Sequence, residues 1–168
     1  MNDFDEFVQA NVDDLLRTAY LITWDAGEAE ELVQECLFKV ARRWPRVRRM
    51  EQPRAYARRI LINLALDGAR GRSRRRVELD PLPAGGELAA TEPLSGLETR
   101  AELLEALGRL PMRQRAVLVL RYLHDLTEVQ TAEILGCSTG TVKSNASRGL
   151  ARLREVCDLS PQPRSSNI

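Results

Sequence analysis

With 168 residues, 43% of them hydrophobic, the chain is long enough for one domain or two small ones with packed cores. It has no apolar run of the roughly eighteen residues a membrane span needs. Its acidic start, Met1-Asn2-Asp3-Phe4-Asp5, lacks the basic-then-apolar pattern of a secretion signal, so a cytoplasmic location is expected. Three cysteines without C-x-x-C spacing (Cys36, Cys137, Cys157) and one histidine (His124) argue against a disulfide scaffold, a metal centre or a cofactor site.

The net charge of +1 conceals a block pattern. Residues 1–35 hold ten acids and one base, 39–76 fourteen bases and two acids, 77–105 seven acids and one base, and 106–157 eight bases and four acids. Two successive acid-then-base units suggest two modules, each with one surface suited to a polyanion. Of the 25 cations only Lys39 and Lys143 are lysine. The arginine bias favours bidentate phosphate and base contacts, and it also follows simply from GC-rich coding.

Apolar residues recur at three- and four-residue steps almost throughout, and no run alternates as a half-buried strand would, so the expected class is all-α. Helix one carries Phe4, Phe7, Val8, Leu15, Leu16 and Ala19, with Asp3 and Glu6 at capping-box spacing. Helix two starts at the Asp25/Glu28 cap, lines one side with Ala29, Leu32, Val33, Cys36, Val40 and Trp44, and is stopped by Pro45. Pro53 opens a helix that is apolar on most sides from Tyr56 to Ala69, the expected buried centre of the first module. It runs into a charged string.

Residues 77–97 carry three prolines and three glycines and read as a flexible linker between the modules, 1–76 and 98–157. Ser95 and Glu98 cap the next helix, Pro111 opens another through Val117, Leu118 and Leu120, Thr127 and Gln130 cap a short one that Gly136 ends, and Ser138 starts the last. The tail, 158–168, is expected to be disordered.

Three segments carry function. Leu126 to Arg154 has a capped helix, a glycine turn and a second capped helix, the plan of a helix-turn-helix. Val129, Ala132, Ile134 or Leu135, Val142, Ala146 and Leu150 would fix the angle between its helices. Thr139, Thr141, Lys143, Ser144, Ser147 and Arg148 would project as hydroxyls and cations suited to the major groove. The plain alternative is a helical hairpin with a solvated face.

The second segment is the arginine cluster 70–76, preceded by Arg58 and Arg59 and by Arg46, Arg48 and Arg49, lying near the aromatics Trp44 and Tyr56. Cations with aromatic surfaces suit single-stranded nucleic acid, although Trp44 and Tyr56 also fit a core role. The third is helix two, whose polar side carries Glu28, Glu31, Gln34, Glu35 and Arg42 together with Phe38. A phenylalanine among carboxylates points to a docking face for a basic partner, or to packing on the other module.

These residues resemble the extracytoplasmic-function sigma factors, the minimal two-domain class of bacterial RNA polymerase specificity subunits, over residues 3–156. Glu31-Leu32-Val33-Gln34 looks like the family's acidic-Leu-Val-Gln motif, which implies core-polymerase binding by Glu31, Leu32, Gln34, Glu35 and Phe38. Asn63, Asp67 and Arg70 are similar to residues of regions 2.3 and 2.4, and Tyr56 stands where the family often has tryptophan. With the loop 46–52, the resemblance implies melting of the minus-ten element and capture of a flipped base by Arg46, Arg48, Arg49, Tyr56, Asn63, Asp67, Arg70 and Arg74. Gly140-Thr141-Val142-Lys143-Ser144 with Arg148 is similar to the recognition helix that reads the minus-thirty-five element.

Two departures stand out. Asn145 replaces a frequent arginine, and Gly149 a common alanine, at a cost of about 1 kcal/mol if the position is exposed. The resemblance further implies an anti-sigma partner and a linker running through the RNA exit path; no additional C-terminal regulatory domain is expected.

Holding a flipped base costs a few kcal/mol of unstacking, to be offset by pocket contacts and phosphate neutralisation. The acidic blocks repel phosphate, so promoter recognition is expected to need polymerase. A stand-alone helix-turn-helix regulator would need dimer symmetry, and no dimerisation helix is apparent. An adaptor using the fold for protein contacts alone would tolerate loss of Lys143 and Arg148. An enzyme is disfavoured by the absence of a phosphate loop or paired-carboxylate motif. Cys36 and Cys137 read as small core residues, and His124 as a loop or cap residue.

Overall fold

The computed structural model describes residues 2–77 and 100–159. Every regular element among them is helical: α1 (Asp3–Thr23), α2 (Ala26–Arg42), α3 (Trp44–Val47), α4 (Pro53–Val77), α5 (Arg100–Gly108), α6 (Met112–Leu118) with a π-helical turn over Val119–Leu123, α7 (Glu128–Leu135) and α8 (Thr139–Leu159). The expected linker, the Ser95/Glu98 cap and most of the tail lie outside the described residues, as do the side chains of Arg70 and Arg74.

Capping chemistry sets most of the boundaries. The box on α1 begins one residue earlier than expected. Asn2 Oδ1 accepts from the Phe4 amide at 2.6 Å, and the Asp5 carboxylate accepts from the Asn2 amide at 3.4 Å. Asparagine caps as well as aspartate, and this register leaves Asp3 in the first turn, where the helix dipole favours it. Asp25 caps α2 by accepting from the Glu28 amide at 2.8 Å. The Thr127/Gln130 box on α7 is reciprocal at 3.1 and 2.9 Å, and Gly136 ends α7 in the left-handed region.

α1 and α2 form a tight hairpin through the left-handed Trp24, and α4 packs across both. Leu61 and Ile62 at its centre are fully buried beside Leu15, Ile22 and Val40. Each such side chain contributes about 1.5–3 kcal/mol by leaving water. α4 continues as helix through the arginine string to Val77, beyond the apolar stretch that marked it in sequence. Trp44 is not the end of α2. It starts α3 and packs on Phe4 and Phe7 at centroid distances of 5.3 and 5.1 Å.

In the second unit α5 and α6 pack on α8 around Ala106, Leu110, Leu118, Leu150 and Leu153, while α7 meets α8 through the larger core that holds Ala132, Leu135 and Val142. Gly149 is buried, not exposed: a Cβ there would lie 3.0 Å from Leu118 Cδ1, so the glycine permits close approach of α8 to α6. Val129, expected on the apolar face, is 57% exposed. The two units are in contact, α1 against α6 and α4 against α7, and the core of α1, α2 and α4 continues into Val117, Leu120 and Leu135.

Candidate functional site

The stripe Tyr56, Ile60, Asn63, Leu64 and Asp67 runs along one side of α4 at helical steps and faces the last turn of α2. Together with Lys39, Arg42 and Arg43 it lines a cleft of about 520 Å³, open to solvent and large enough for a nucleobase. The Tyr56 hydroxyl accepts from Arg43 Nη1 at 3.3 Å, which orients the ring on the cleft wall. Asn63 and Asp67 sit exposed on the same stripe.

Of the expected minus-ten residues, Tyr56, Asn63 and Asp67 are therefore brought together. Arg46, Arg48 and Arg49 are exposed around α3 and do not line this cleft, and Arg48 pairs with Asp3 at 3.2 Å. Trp44 belongs to the aromatic core. Arg58 is half-buried, with burial and neighbouring Arg54 depressing its pKa. Lys39 and Arg43, which sequence reasoning left without a role, form the opposite wall with Arg42. Their one sequence signal is that they open the basic block, on a helix whose other residues pointed to protein docking.

The second surface lies on the outer face of α2. Glu31, Gln34, Glu35 and Phe38 are all exposed, Phe38 by 63%. Leu32 points the other way, into the core beside Val33, so within this motif it seats the helix. Glu35 Oε1 pairs with Lys39 Nζ at 3.2 Å, and the Arg42 guanidinium lies 5.9 Å from the Phe38 ring centroid. Phe38 also borders a shallow hollow with Phe4, Val8, Leu37 and Ala41, which extends the apolar part of this face onto α1.

The third surface is the N-terminal half of α8. Ser138 Oγ accepts from the Thr141 amide at 3.1 Å and bonds Thr141 Oγ1 at 2.9 Å, so Thr141 is partly engaged in the cap. Thr139 and Lys143 are exposed, while Ser144, Ser147 and Arg148 are half-buried. Lys143 reaches Glu128 of α7 at 3.6 Å. Asn145 donates back to the Thr141 carbonyl at 2.9 Å, using its amide to hold the helix. Val142 and Leu150 on the opposite side are buried, fixing α8 against α6 and α7.

Cys36 Sγ donates to the Ala57 carbonyl at 3.2 Å, and burial pushes its thiol up to about 12, consistent with a packing residue. His124 caps the π-helical turn, and its Nε2 lies 2.9 Å from Thr18 Oγ1 across the contact between the units. Among the described residues no cluster of histidine, cysteine and carboxylates could hold a metal ion, and no helix is long and apolar enough to cross a membrane.

Residues 7–75 match sigma-70 region 2, and residues 100–153 match sigma-70 region 4. The RNA polymerase sigma-E factor of Streptomyces coelicolor is 37% identical over 153 residues, covering 91% of this chain and 85% of the relative. The chain belongs to the sigma-70 family of RNA polymerase sigma factors. Its place in the extracytoplasmic-function class agrees with the ECF RNA polymerase sigma factor SigE of Mycolicibacterium smegmatis, 32% identical over 163 residues, with 92% of this chain and 62% of the relative covered. Among solved structures, the sigma factor RpoE in complex with the anti-sigma factor NepR from Bartonella quintana superposes with a TM-score of 0.68 at 25% identity, covering 96% of this chain and all of that one. This sigma factor accordingly directs RNA polymerase to promoters as an alternative specificity subunit.

Proposed function

We propose that this sigma factor works in the cytoplasm without catalysis of its own, and that three surfaces divide its work. The exposed face of α2, with Glu31, Gln34, Glu35 and Phe38, docks on core polymerase. The cleft between α2 and α4, with Tyr56, Asn63 and Asp67, takes a base flipped from the melted minus-ten strand, with Arg46, Arg48, Arg49, Arg70 and Arg74 serving the adjoining phosphates. The N-terminal half of α8, with Thr139, Thr141, Lys143, Ser144, Ser147 and Arg148, reads the upstream duplex. Residues 1–76 and 98–157 form the two working domains.

The observation that carries this reading is the cleft itself: an open, base-sized hollow with an oriented aromatic, an amide and a carboxylate on one wall and cations on the other, on the same helix as an exposed phenylalanine. An anti-sigma partner is expected by likeness to RpoE, which is held by NepR.

The two elements are named for positions about 25 base pairs apart, about 85 Å along a duplex. A compact body of this chain's size has a radius of gyration of only ~15 Å. Reading both elements at once therefore requires the two packed units to part.

Run-off transcription with purified core polymerase and a library of randomised promoters tests the function. The expected result is transcripts from a subset that shares two separated sequence elements. Transcripts that share no element, or none at all, would overturn it.

A further inference from the structure

We infer that Lys39 and Arg42 are nucleic-acid contacts of the cleft between α2 and α4, and that occupancy of the neighbouring docking face controls how freely they act there. The inference rests on the reading of those two faces given above and adds a link between them.

Lys39 and Arg42 occupy the ridge of α2 that separates the faces. Both line the cleft opposite Asn63 and Asp67. Both are also engaged, one helical turn back, by residues of the docking face: Lys39 by the Glu35 carboxylate at 3.2 Å and Arg42 by the Phe38 ring at 5.9 Å. The spacing is i to i+4 in each case, so the two contacts run side by side along the helix. Each cation thus has a local partner on one face and the open cleft on the other.

These local contacts are weak because the groups are exposed, the Lys39 and Glu35 side chains by 49% and 53%. They are weak enough to exchange with a phosphate. A polymerase surface that meets Glu35 with a basic group and covers Phe38 with an apolar one removes both partners together. Lys39 and Arg42 then offer their charge to the strand in the cleft. Linkage makes the effect reciprocal: a strand that draws these cations away from Glu35 and Phe38 favours docking by the same factor.

The test uses the full chain, core polymerase and a forked oligonucleotide carrying the minus-ten strand recovered from the promoter selection. The double variant Lys39→Gln/Arg42→Gln is expected to bind core at least as tightly as wild type, because Glu35 and Phe38 lose the local partners that compete with docking. Its holoenzyme should bind the fork roughly tenfold more weakly, with a log K against log salt slope shallower by about 1.4, the value for two lost single-strand phosphate contacts. The charge-conserving Lys39→Arg/Arg42→Lys variant should keep the slope, which separates charge from helix damage.

In the free chain, Glu35→Gln should raise fork affinity about two- to fivefold by releasing Lys39. An unchanged salt slope in the double variant, a loss of core affinity in place of fork affinity, or no gain from Glu35→Gln would each overturn the inference. Wild-type protein that fails to bind core or to support transcription would instead overturn the underlying assignment of the two faces.

Discussion

The guanidinium of Arg115 closes the end of α1 from 93 residues away: its Nη2 and Nε donate to the Ile22 carbonyl oxygen at 2.5 and 3.0 Å. Nη1 donates to the carbonyls of Leu110 and Gly108 at 2.7 and 3.3 Å, and the group lies 5.9 Å from the Trp24 ring centroid. One arginine of α6 thereby satisfies terminal carbonyls of α1 and of the α5–α6 turn at the contact between the units. Trp24 in turn packs on Gly108, where a Cβ would fall 2.3 Å from the ring.

Arg115→Ala leaves these buried carbonyls without donors. The expected cost is about 2–4 kcal/mol in urea unfolding monitored by circular dichroism. In small-angle scattering the radius of gyration of the free chain should rise as the units separate. An unchanged radius would mean that apolar contacts alone hold them.

His124 gives the same contact a pH dependence. Burial, followed by the charge of Arg58, pushes its pKa down to about 4 from the ordinary 6.5, against the weaker pull of Asp14 and Asp125. The folded state therefore holds the imidazole neutral while the unfolded chain protonates it. The stability contributed by the neutral ring is fully present above about pH 6.5 and is lost as pH falls toward 4. For a ring only partly shielded from solvent the loss is on the order of 1 kcal/mol. His124→Gln should remove that portion of the slope between pH 6.5 and 4, read as the difference between wild-type and variant melting curves.

The division of labour among the surfaces has a direct genetic signature. Arg148→Ala should reduce discrimination at the upstream element by about 1–3 kcal/mol and leave core affinity intact. Glu31→Ala and Gln34→Ala should weaken core binding and leave the selected promoter sequence unchanged. Binding titrations and library transcription, run on the same variants, separate the two classes. One shared defect would contradict the assignment.

Local chemistry was legible in the sequence wherever a boundary is set by a few neighbouring residues. The Asp25 cap, the Thr127/Gln130 box, Gly136 and Pro53 all act within one helical turn. The exposure of Phe38 followed from helical phase alone. What depends on which helices meet was not legible. The cationic wall of the cleft arises because α2 lies across α4 at Arg43 and Tyr56, the buried position of Gly149 because α8 touches α6 at Leu118, and the role of Arg115 because α6 reaches the end of α1. Leu32 carries two expectations within a single motif. Periodicity puts it on the apolar side of α2 and the resemblance puts it on the docking surface; its burial, beside exposed Glu31 and Gln34, agrees with the first.

Promoter recognition is expected to belong to the complex with polymerase, because acidic blocks and the packed arrangement of the two units hold the free chain away from DNA. Footprinting of a selected promoter with purified chain, with core polymerase and with both together tests it most directly. Protection over both elements is expected only when the two are combined. Specific protection by the chain alone, or none with the combination, would contradict it.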